Sequence, residues 1–263
     1  MKKNKFVFVA IIFLAILLVQ PQNFQAIVSI FTQNDLKSQL NITGSPGEKN
    51  SDISSTYHSK NSELKSQIYD GKNQVIEVHS KAQFTSEELN LEKGTWKKFS
   101  SLDLLNRVGV AEAMLGQDLL PKKEREDIST VTPTGWKNKK IDFNGQSDYL
   151  YNRSHLIAFR LSGGDNPQNL FTGTRALNAN FEDEKSSMLY YENLISDYIK
   201  ETGHHVRYRV TPIFKNVELV CRGIRLEAQS VEDDTISFDV YIFNIQPGYE
   251  LNYLTGDSQK VAP

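Results

Sequence analysis

The sequence predicts an α+β fold, with a central antiparallel β-sheet and short helices flanking it. The first observation is a series of strand-like segments late in the chain, in which apolar residues recur at strand spacing. These segments are residues 205–214, 218–229, 236–243 and 249–253. The second observation is that helical composition is concentrated in one stretch, residues 176–200, which precedes them. Successive strands with helices set apart from them are typical of this fold class.

Shorter patterns predict the earlier elements. They are a strand within residues 73–84, an apolar segment at 96–105 that packs on the core, short helices at 110–115 and 121–127, and a strand at 141–151 with a turn at Asn144-Gly145. Gly116 is the expected stop of the first short helix. Pro121 is the expected start of the second.

The domain organisation follows from length and composition. The 263 residues allow one domain of about 200 residues with additions. Residues 1–26 predict a signal peptide, because three lysines precede an apolar run too short to span a membrane comfortably. We therefore expect a secreted protein without a stable membrane span; an uncleaved N-terminal anchor is the alternative. Residues 27–70 predict a flexible, polar arm, and residues 71–263 the folded domain.

Cys221 is the single cysteine of the chain, so no internal disulfide can form. It lies in an apolar, strand-like segment. The sequence therefore predicts a buried packing residue rather than a nucleophile.

The formal net charge is −2, which does not favour nucleic-acid binding by the chain as a whole, because phosphate contacts need Lys and Arg. A local basic groove would be enough. The candidates are Lys97-Lys98, Lys122-Lys123 with Arg125, residues 137–140, Arg207 with Arg209, and Arg222 with Arg225. Arg207 and Arg209 alternate with apolar residues, so we expect a half-buried strand with these two arginines on its exposed, basic face.

The most informative stretch is residues 147–192, with Asn152-Arg153-Ser154-His155 at its centre. A short aromatic strand leads into this motif and a Gly-Gly break follows, so His155 lies near the end of an element, where rigid structure can hold a functional group at the surface. The stretch is also rich in Asn, whose side-chain oxygen suits hard cations such as Mg²⁺. A lone His is more often structural, and Asn with Gly usually marks turns. Spacing alone therefore assigns no function.

Four motifs occur in order along this stretch: Asn152-Arg153-Ser154-His155, Asn166-Pro167-Gln168-Asn169, Asn178 and Tyr190-Tyr191-Glu192. Together they resemble the DNA/RNA non-specific endonucleases of the ββα-metal (His-Me finger) group, in particular the secreted streptococcal DNases and the DNA-entry nuclease. The likeness extends from about residue 101 to residue 256. One position departs from the pattern, because the family usually carries Asp where this chain has Asn152.

The resemblance implies a ββα-metal finger and assigns roles to its residues. His155 corresponds to the general base that activates water, and Asn178 to the ligand of the metal ion. Glu192 would hold a metal-bound water. Asn169 would shape the loop or support Asn178, and Arg153 would either contact phosphate or brace the site.

The resemblance also implies partners. The cofactor would be Mg²⁺, with Mn²⁺ and Ca²⁺ left open, and the substrate DNA, with RNA cut as well. Arg207 and Arg209 are the next candidates for phosphate contacts. We expect a monomer.

Such a site constrains the helical stretch of residues 176–200. Asn178 and Glu192 are 14 residues apart, which is roughly 21 Å along a straight helix at about 1.5 Å per residue. One small metal site could not use both, so we expect a break between them, with Ser186-Ser187 starting the second helix.

Two other hypotheses remain at this point. The first is a nuclease-fold protein that binds nucleic acid or a surface partner but cuts weakly, because Asn152 replaces the usual Asp. The second is a secreted interaction protein that uses the arm of residues 27–70.

Overall fold

The computed structural model describes residues 48–125, 127–143, 145–162, 164–180 and 183–261. They belong to one compact unit, residues 48–263. The predicted signal peptide and the first part of the predicted arm lie outside the described residues. No helix in the described part of the chain is both long and apolar enough to cross a membrane.

The α+β class is confirmed. The described helices are α1 (Glu48–Leu64), α2 (Phe159–Ser162), α3 (Arg175–Asn178) and α4 (Met188–Thr202). The described strands are β1 (Val75–His79), β2 (Trp96–Phe99), β3 (Ala111–Leu115), β4 (Lys140–Phe143), β5 (Gln146–Tyr149), β6 (Tyr151–His155), β7 (Leu170–Thr174), β8 (Val206–Ile213), β9 (Gly223–Ser230), β10 (Ser237–Phe243), β11 (Tyr249–Leu251) and β12 (Ser258–Lys260).

Six strands form the main sheet in the order β1-β10-β9-β8-β3-β2, and all neighbours are antiparallel. The pairs β4–β5, β6–β7 and β11–β12 form separate two-stranded sheets. One face of the main sheet is apolar and packs with α4. Ile195 and Ile199 of α4 share this core with Val206, Tyr208 and Leu226 of the sheet. Burial of these side chains is the main stabilising contribution in this part of the fold.

The other face of the main sheet is charged and is covered by α1. Tyr57 of α1 bonds its hydroxyl to that of Thr211 at 2.6 Å, and Asn61 accepts a hydrogen bond from Arg225 at 2.9 Å. The Tyr57 ring also lies 4.7 Å from the guanidinium of Arg209. The prediction of a flexible arm is therefore wrong for residues 48–64, which form a helix packed on the sheet.

Two predicted short helices are also wrong. Residues 111–115 form the strand β3, which pairs with β2 and β8. Their sequence, AEAML, favours a helix locally, but pairing on both sides overrides that preference. Residues 121–125 and Asp127 contain no helix.

Several other local predictions are confirmed. The chain turns between β4 and β5, and Gly145 lies in that turn. The segment at residues 96–105 packs on the core only in part, because Leu104 and Leu105 are exposed. The strand predicted at residues 218–229 begins only at Gly223. The helical stretch breaks after Asn178 and restarts at Met188, with Ser187 as the N-cap residue. Cys221 is buried, and this burial raises the pKa of its thiol to about 12, so it is a packing residue.

Candidate active site

The strands β6 and β7 and the helix α3 form a finger at the side of the main sheet. β6 pairs antiparallel with β7 and ends at His155. A Cβ added to Gly173 of β7 would lie only 2.8 Å from the Cβ of Ser154 on β6. Glycine is therefore required at this position for the two strands to pair this closely. Thr174 then caps α3 by accepting a hydrogen bond from the Leu177 amide at 3.1 Å. α3 ends at Asn178, which is thus held on a short, capped helix.

A cleft of about 760 Å³ lies against this finger. It brings together four of the residues that the sequence singled out, although they come from different elements: Arg153, His155, Asn178 and Glu192. Asn152 lines it as well. Its other lining residues are Arg125, Ile128, Trp136, Asn138, Tyr149, Tyr151, Ala158, Phe159, Arg160 and Leu189.

His155 lies at the wall of this cleft. Its side chain is only 8% exposed, and its Nε2 is 2.6 Å from Oδ1 of Asp165. Burial lowers the pKa of His155, the hydrogen bond with Asp165 opposes that shift, and the charge of Arg125 adds to it. Burial therefore favours the neutral imidazole, which is the state that a proton acceptor needs.

Glu192 projects from α4 into the same cleft. Burial raises the pKa of its carboxyl to about 7, and the charge of Arg160 opposes the shift. No ion pair or hydrogen bond joins the Glu192 side chain to another described residue, and the same holds for the Asn178 side chain. Glu192 is buried, and buried polar groups normally have partners. Asn178 is only half-buried, so its amide is accessible from the cleft. Both side chains are therefore suited to hold something that enters the cleft.

The donor set fits a hard divalent cation. No group of three or more His, Cys, Asp or Glu side chains converges among the described residues, which argues against a fully protein-ligated zinc site of the structural kind. An Asn oxygen with a nearby carboxylate suits an ion such as Mg²⁺, which keeps several of its waters. Asn178 would be the direct ligand, and Glu192 would orient bound water.

Arg153 lines the cleft, but its guanidinium is bound to protein groups. Its Nε donates to the carbonyl of Val131 at 2.5 Å and its Nη2 to that of Ser129 at 2.8 Å. The guanidinium also lies 4.5 Å from the centre of the Trp136 ring. Of its two predicted roles, these contacts favour bracing of the loop at residues 129–131.

Asn169 does not line the cleft, and its inclusion among the catalytic candidates needs correction. It is fully buried. Its side chain accepts a hydrogen bond from the Ile157 amide at 2.9 Å and donates to the carbonyls of Ile157 and Gly164 at 3.0 and 2.8 Å. Asn169 thus shapes the loop that follows His155, which was one of the two roles expected for it.

We expect Asn169→Ala to destabilise the protein by about 3 kcal/mol, because it leaves buried backbone groups of Ile157 and Gly164 without partners. The free energy of unfolding in urea measures this. Gln168→Ala, at the neighbouring and less buried position, is the matched control and should change stability by no more than about 0.5 kcal/mol. Equal effects of the two substitutions would contradict the role given to Asn169.

Arg207 and Arg209 are wrong as phosphate contacts. They are 2% and 7% exposed, respectively, because α1 and the segment around Phe84 cover the face of β8 on which they lie. Both guanidinium groups bind Glu112, with Arg207 Nη2 at 2.6 Å and Arg209 Nε at 3.0 Å from its Oε1. The expectation of a half-buried β8 with an open basic face fails for the same reason.

The cations that do line the cleft are Arg125, Arg153 and Arg160. The sequence indicated Arg125 only as part of a basic cluster and gave no signal for Arg160, which lies on α2 five residues after His155. Asp165 was also missed, because nothing in the pattern of the loop shows that its carboxylate returns to the imidazole.

Comparison with known proteins identifies the class of protein to which this site belongs. Residues 89–232 match the family model described as DNA/RNA non-specific endonuclease. The protein is a nuclease. The chain belongs to the DNA/RNA non-specific endonuclease family, which confirms the resemblance drawn from its motifs.

Solved structures give the same result. The chain is similar to NucA from Streptococcus agalactiae with magnesium ion bound, at 27% identity and a TM-score of 0.62, over 71% of this chain and 87% of that one. It is also similar to the Sda1 nuclease with bound zinc ion, at 27% identity and a TM-score of 0.57, over 64% of this chain and 81% of that one. An α+β nuclease domain and a nucleic-acid substrate follow for this protein.

Proposed function

We propose that this protein is a secreted endonuclease that depends on a divalent metal ion and hydrolyses DNA without sequence preference, with RNA as a second substrate. The observation that carries the proposal is the convergence of His155, Asn178 and Glu192 on one cleft. Residues 1–26, with their signal-peptide pattern, support secretion.

Each group in the cleft has a task in phosphodiester hydrolysis. His155 takes a proton from the attacking water, for which its neutral, buried imidazole is suited. Arg125 and Arg160 lie in the same cleft and attract the phosphate. Asn178 would hold a divalent ion, which would supply positive charge to the phosphate and to the leaving oxygen. Glu192 orients water at that position.

The identity of the ion follows from the donors. Asn and Glu present oxygen, which favours Mg²⁺ and Mn²⁺ and also suits Ca²⁺. The magnesium in NucA and the zinc in Sda1 support a divalent ion in this family. We propose Mg²⁺ as the working ion.

The substrate range follows from the kind of contact. The groups assigned above to the reaction act on the phosphate and the metal rather than on the edges of bases. Contacts to the backbone carry no sequence information. Weak sequence preference and cleavage of both DNA and RNA are therefore expected.

We expect Asn178→Ala to lower the rate of plasmid cleavage in Mg²⁺ by about 100-fold or more, because metal ions contribute several kcal/mol to such reactions. Plasmid nicking, with Mg²⁺ and with chelator, measures this. Asn180→Ala is the matched control: its amide donates to Ser186 at 3.2 Å and does not line the cleft, so its rate should stay within about 3-fold of wild type.

The same assay separates the hypotheses. Cleavage that survives chelation and Asn178→Ala would overturn the metal site. A wild-type protein that binds DNA but does not cut it in any of the three metals would favour the catalytically weak alternative, in which Asn152 limits the chemistry.

A further inference from the structure

His155, the proposed base, is in contact with the carboxylate of Asp165, which the family motifs do not include. The side chains of His155 and Asp165 are 8% and 11% exposed, and their closest atoms are 2.6 Å apart. His155 lines the 760 Å³ cleft. Asp165 lines a different cavity, of about 400 Å³, between α2 and residues 118–124. The imidazole thus has the substrate cleft on one side and the carboxylate on another.

The contact restricts how the imidazole can be protonated. A neutral imidazole has one N–H donor and one acceptor nitrogen, whereas an ionised carboxylate can only accept. The ring nitrogen that faces Asp165 is Nε2, so Nε2 must carry the hydrogen. Nδ1 is then the nitrogen with the free electron pair, and no described residue makes a hydrogen bond to it.

We propose that Asp165 is a positioning residue for the hydrolytic reaction. It accepts the Nε2 hydrogen of His155 and fixes the tautomer and ring orientation in which Nδ1 faces the cleft as the base. This inference rests on the proposed role of His155. Water would give its proton to Nδ1 as its oxygen bonds to phosphorus. The bond from phosphorus to the leaving oxygen would break, and that oxygen would depart with the bonding electrons and take a proton from solvent. Asp165 would stabilise the imidazolium that forms on His155.

The loop between the two residues is built to hold this pair. Asn169 binds both the backbone of Ile157, two residues after His155, and the carbonyl of Gly164, one residue before Asp165. One buried amide therefore connects the two ends of the segment that carries the base and its acceptor. The φ angle of Gly164 is +157°, a backbone geometry that glycine adopts most readily.

The surroundings determine what loss of the carboxylate would do. The charged or titratable groups that line the cleft with His155 are Arg125 from the 121–125 segment, Tyr149 from β5, Tyr151 and Arg153 from β6, Arg160 from α2 and Glu192 from α4. Asp165 raises the pKa of His155, whereas burial and the charge of Arg125 lower it. Without Asp165, the imidazole would therefore bind its proton less tightly. The acidic limb of the rate–pH profile would then move to lower pH.

Two substitutions separate orientation from charge. Asp165→Ala removes the acceptor, and we expect the rate to fall by about 10- to 100-fold, as for other residues that orient a catalytic group. Asp165→Asn keeps an oxygen that can accept from Nε2 but removes the charge. We expect it to retain more activity than Asp165→Ala while the acidic limb of its profile moves to lower pH.

The experiment measures rate–pH profiles of the full chain for wild type, both Asp165 variants and His155→Ala. In parallel, ¹⁵N NMR of the imidazole reports the tautomer without any cleavage reaction. Asp118→Asn, at an acidic residue that lines the same cavity as Asp165 and bonds to Thr95, is the matched control. Its rate and pH profile should match wild type, and thermal melting checks the fold of every variant.

The outcomes are distinguishable. An Nε2–H tautomer in wild type, lost in Asp165→Ala together with rate, supports the inference. If His155→Ala is inactive but the tautomer and the pH profile are unchanged in both Asp165 variants, the inference is overturned and the proposed function stands. Full activity in His155→Ala would overturn the proposed function itself.

Discussion

Replacing His155 with alanine is expected to lower the rate of DNA hydrolysis by about 10²- to 10⁴-fold, the usual contribution of a positioned general base. The fold should survive, because His155 lies at the end of β6, in a two-stranded sheet outside the main one. Single-turnover cleavage of plasmid at saturating Mg²⁺ measures the effect. His58→Ala, at an exposed position on α1, is the matched control and should leave the rate unchanged.

The pH dependence of the wild-type enzyme gives a second check on the same role. Only neutral His155 can accept a proton, so the rate should rise with pH through the pKa of this group. Burial lowers that pKa, so the rise should be centred below about 6.5, the ordinary value for histidine. A His155→Ala rate within about 3-fold of wild type, together with an unchanged profile, is incompatible with a general base.

The largest expected effect on stability comes from Arg225, which is 1% exposed. Its Nε and Nη2 donate to the carboxylate of Asp239 at 2.8 and 2.7 Å, and Nη2 lies 3.2 Å from Glu227. Asp239 and Glu227 are themselves fully buried. Arg225→Ala removes the cation that bridges both carboxylates, leaving Asp239 with His79 and Glu227 with the more distant Arg209, and should destabilise the protein by about 3 to 5 kcal/mol.

Urea unfolding of Arg225→Ala and of a matched variant, Arg222→Ala, tests this expectation. Arg222 pairs with Glu218 near the surface, and its side chain is 32% exposed. Its loss should therefore cost about 1 kcal/mol or less. If the Arg225 variant were as stable as the Arg222 variant, the pairing of Arg225 with the buried carboxylates of Asp239 and Glu227 would not contribute to stability. Cleavage by the molecules that remain folded should be unaffected, since Arg225 does not line the cleft.

The sequence predicted which residues meet in the cleft better than it predicted the sheet around it. Ordered motifs singled out His155, Asn178 and Glu192, which line one cleft, and their catalytic roles are proposals. A distance argument alone predicted the break between α3 and α4. Both inferences depended on local spacing and on what one small site can physically include. The strand alternation of β8 was also visible, because Val206, Tyr208 and Val210 have the period of a strand with one apolar face.

What the sequence could not show is which element covers which face. α1 is mostly polar and has no apolar stripe of the kind that marks a packed helix. Leu64, at its end, packs with Ile213, Tyr241 and Phe243, but Tyr57 and Asn61 contact arginines. Arg207 and Arg209 therefore looked solvent-exposed, although Tyr57 and Phe84 lie over them. The segment at residues 111–115 failed for a related reason, since its neighbours in the sheet, and not its own composition, make it a strand.

The lone, buried Cys221 has a consequence for the cell that makes this enzyme. A chain with one cysteine cannot form an internal disulfide, and the thiol is shielded from oxidants by its burial. Formation of the fold therefore does not depend on an oxidising compartment. A reducing environment would not by itself keep this nuclease unfolded.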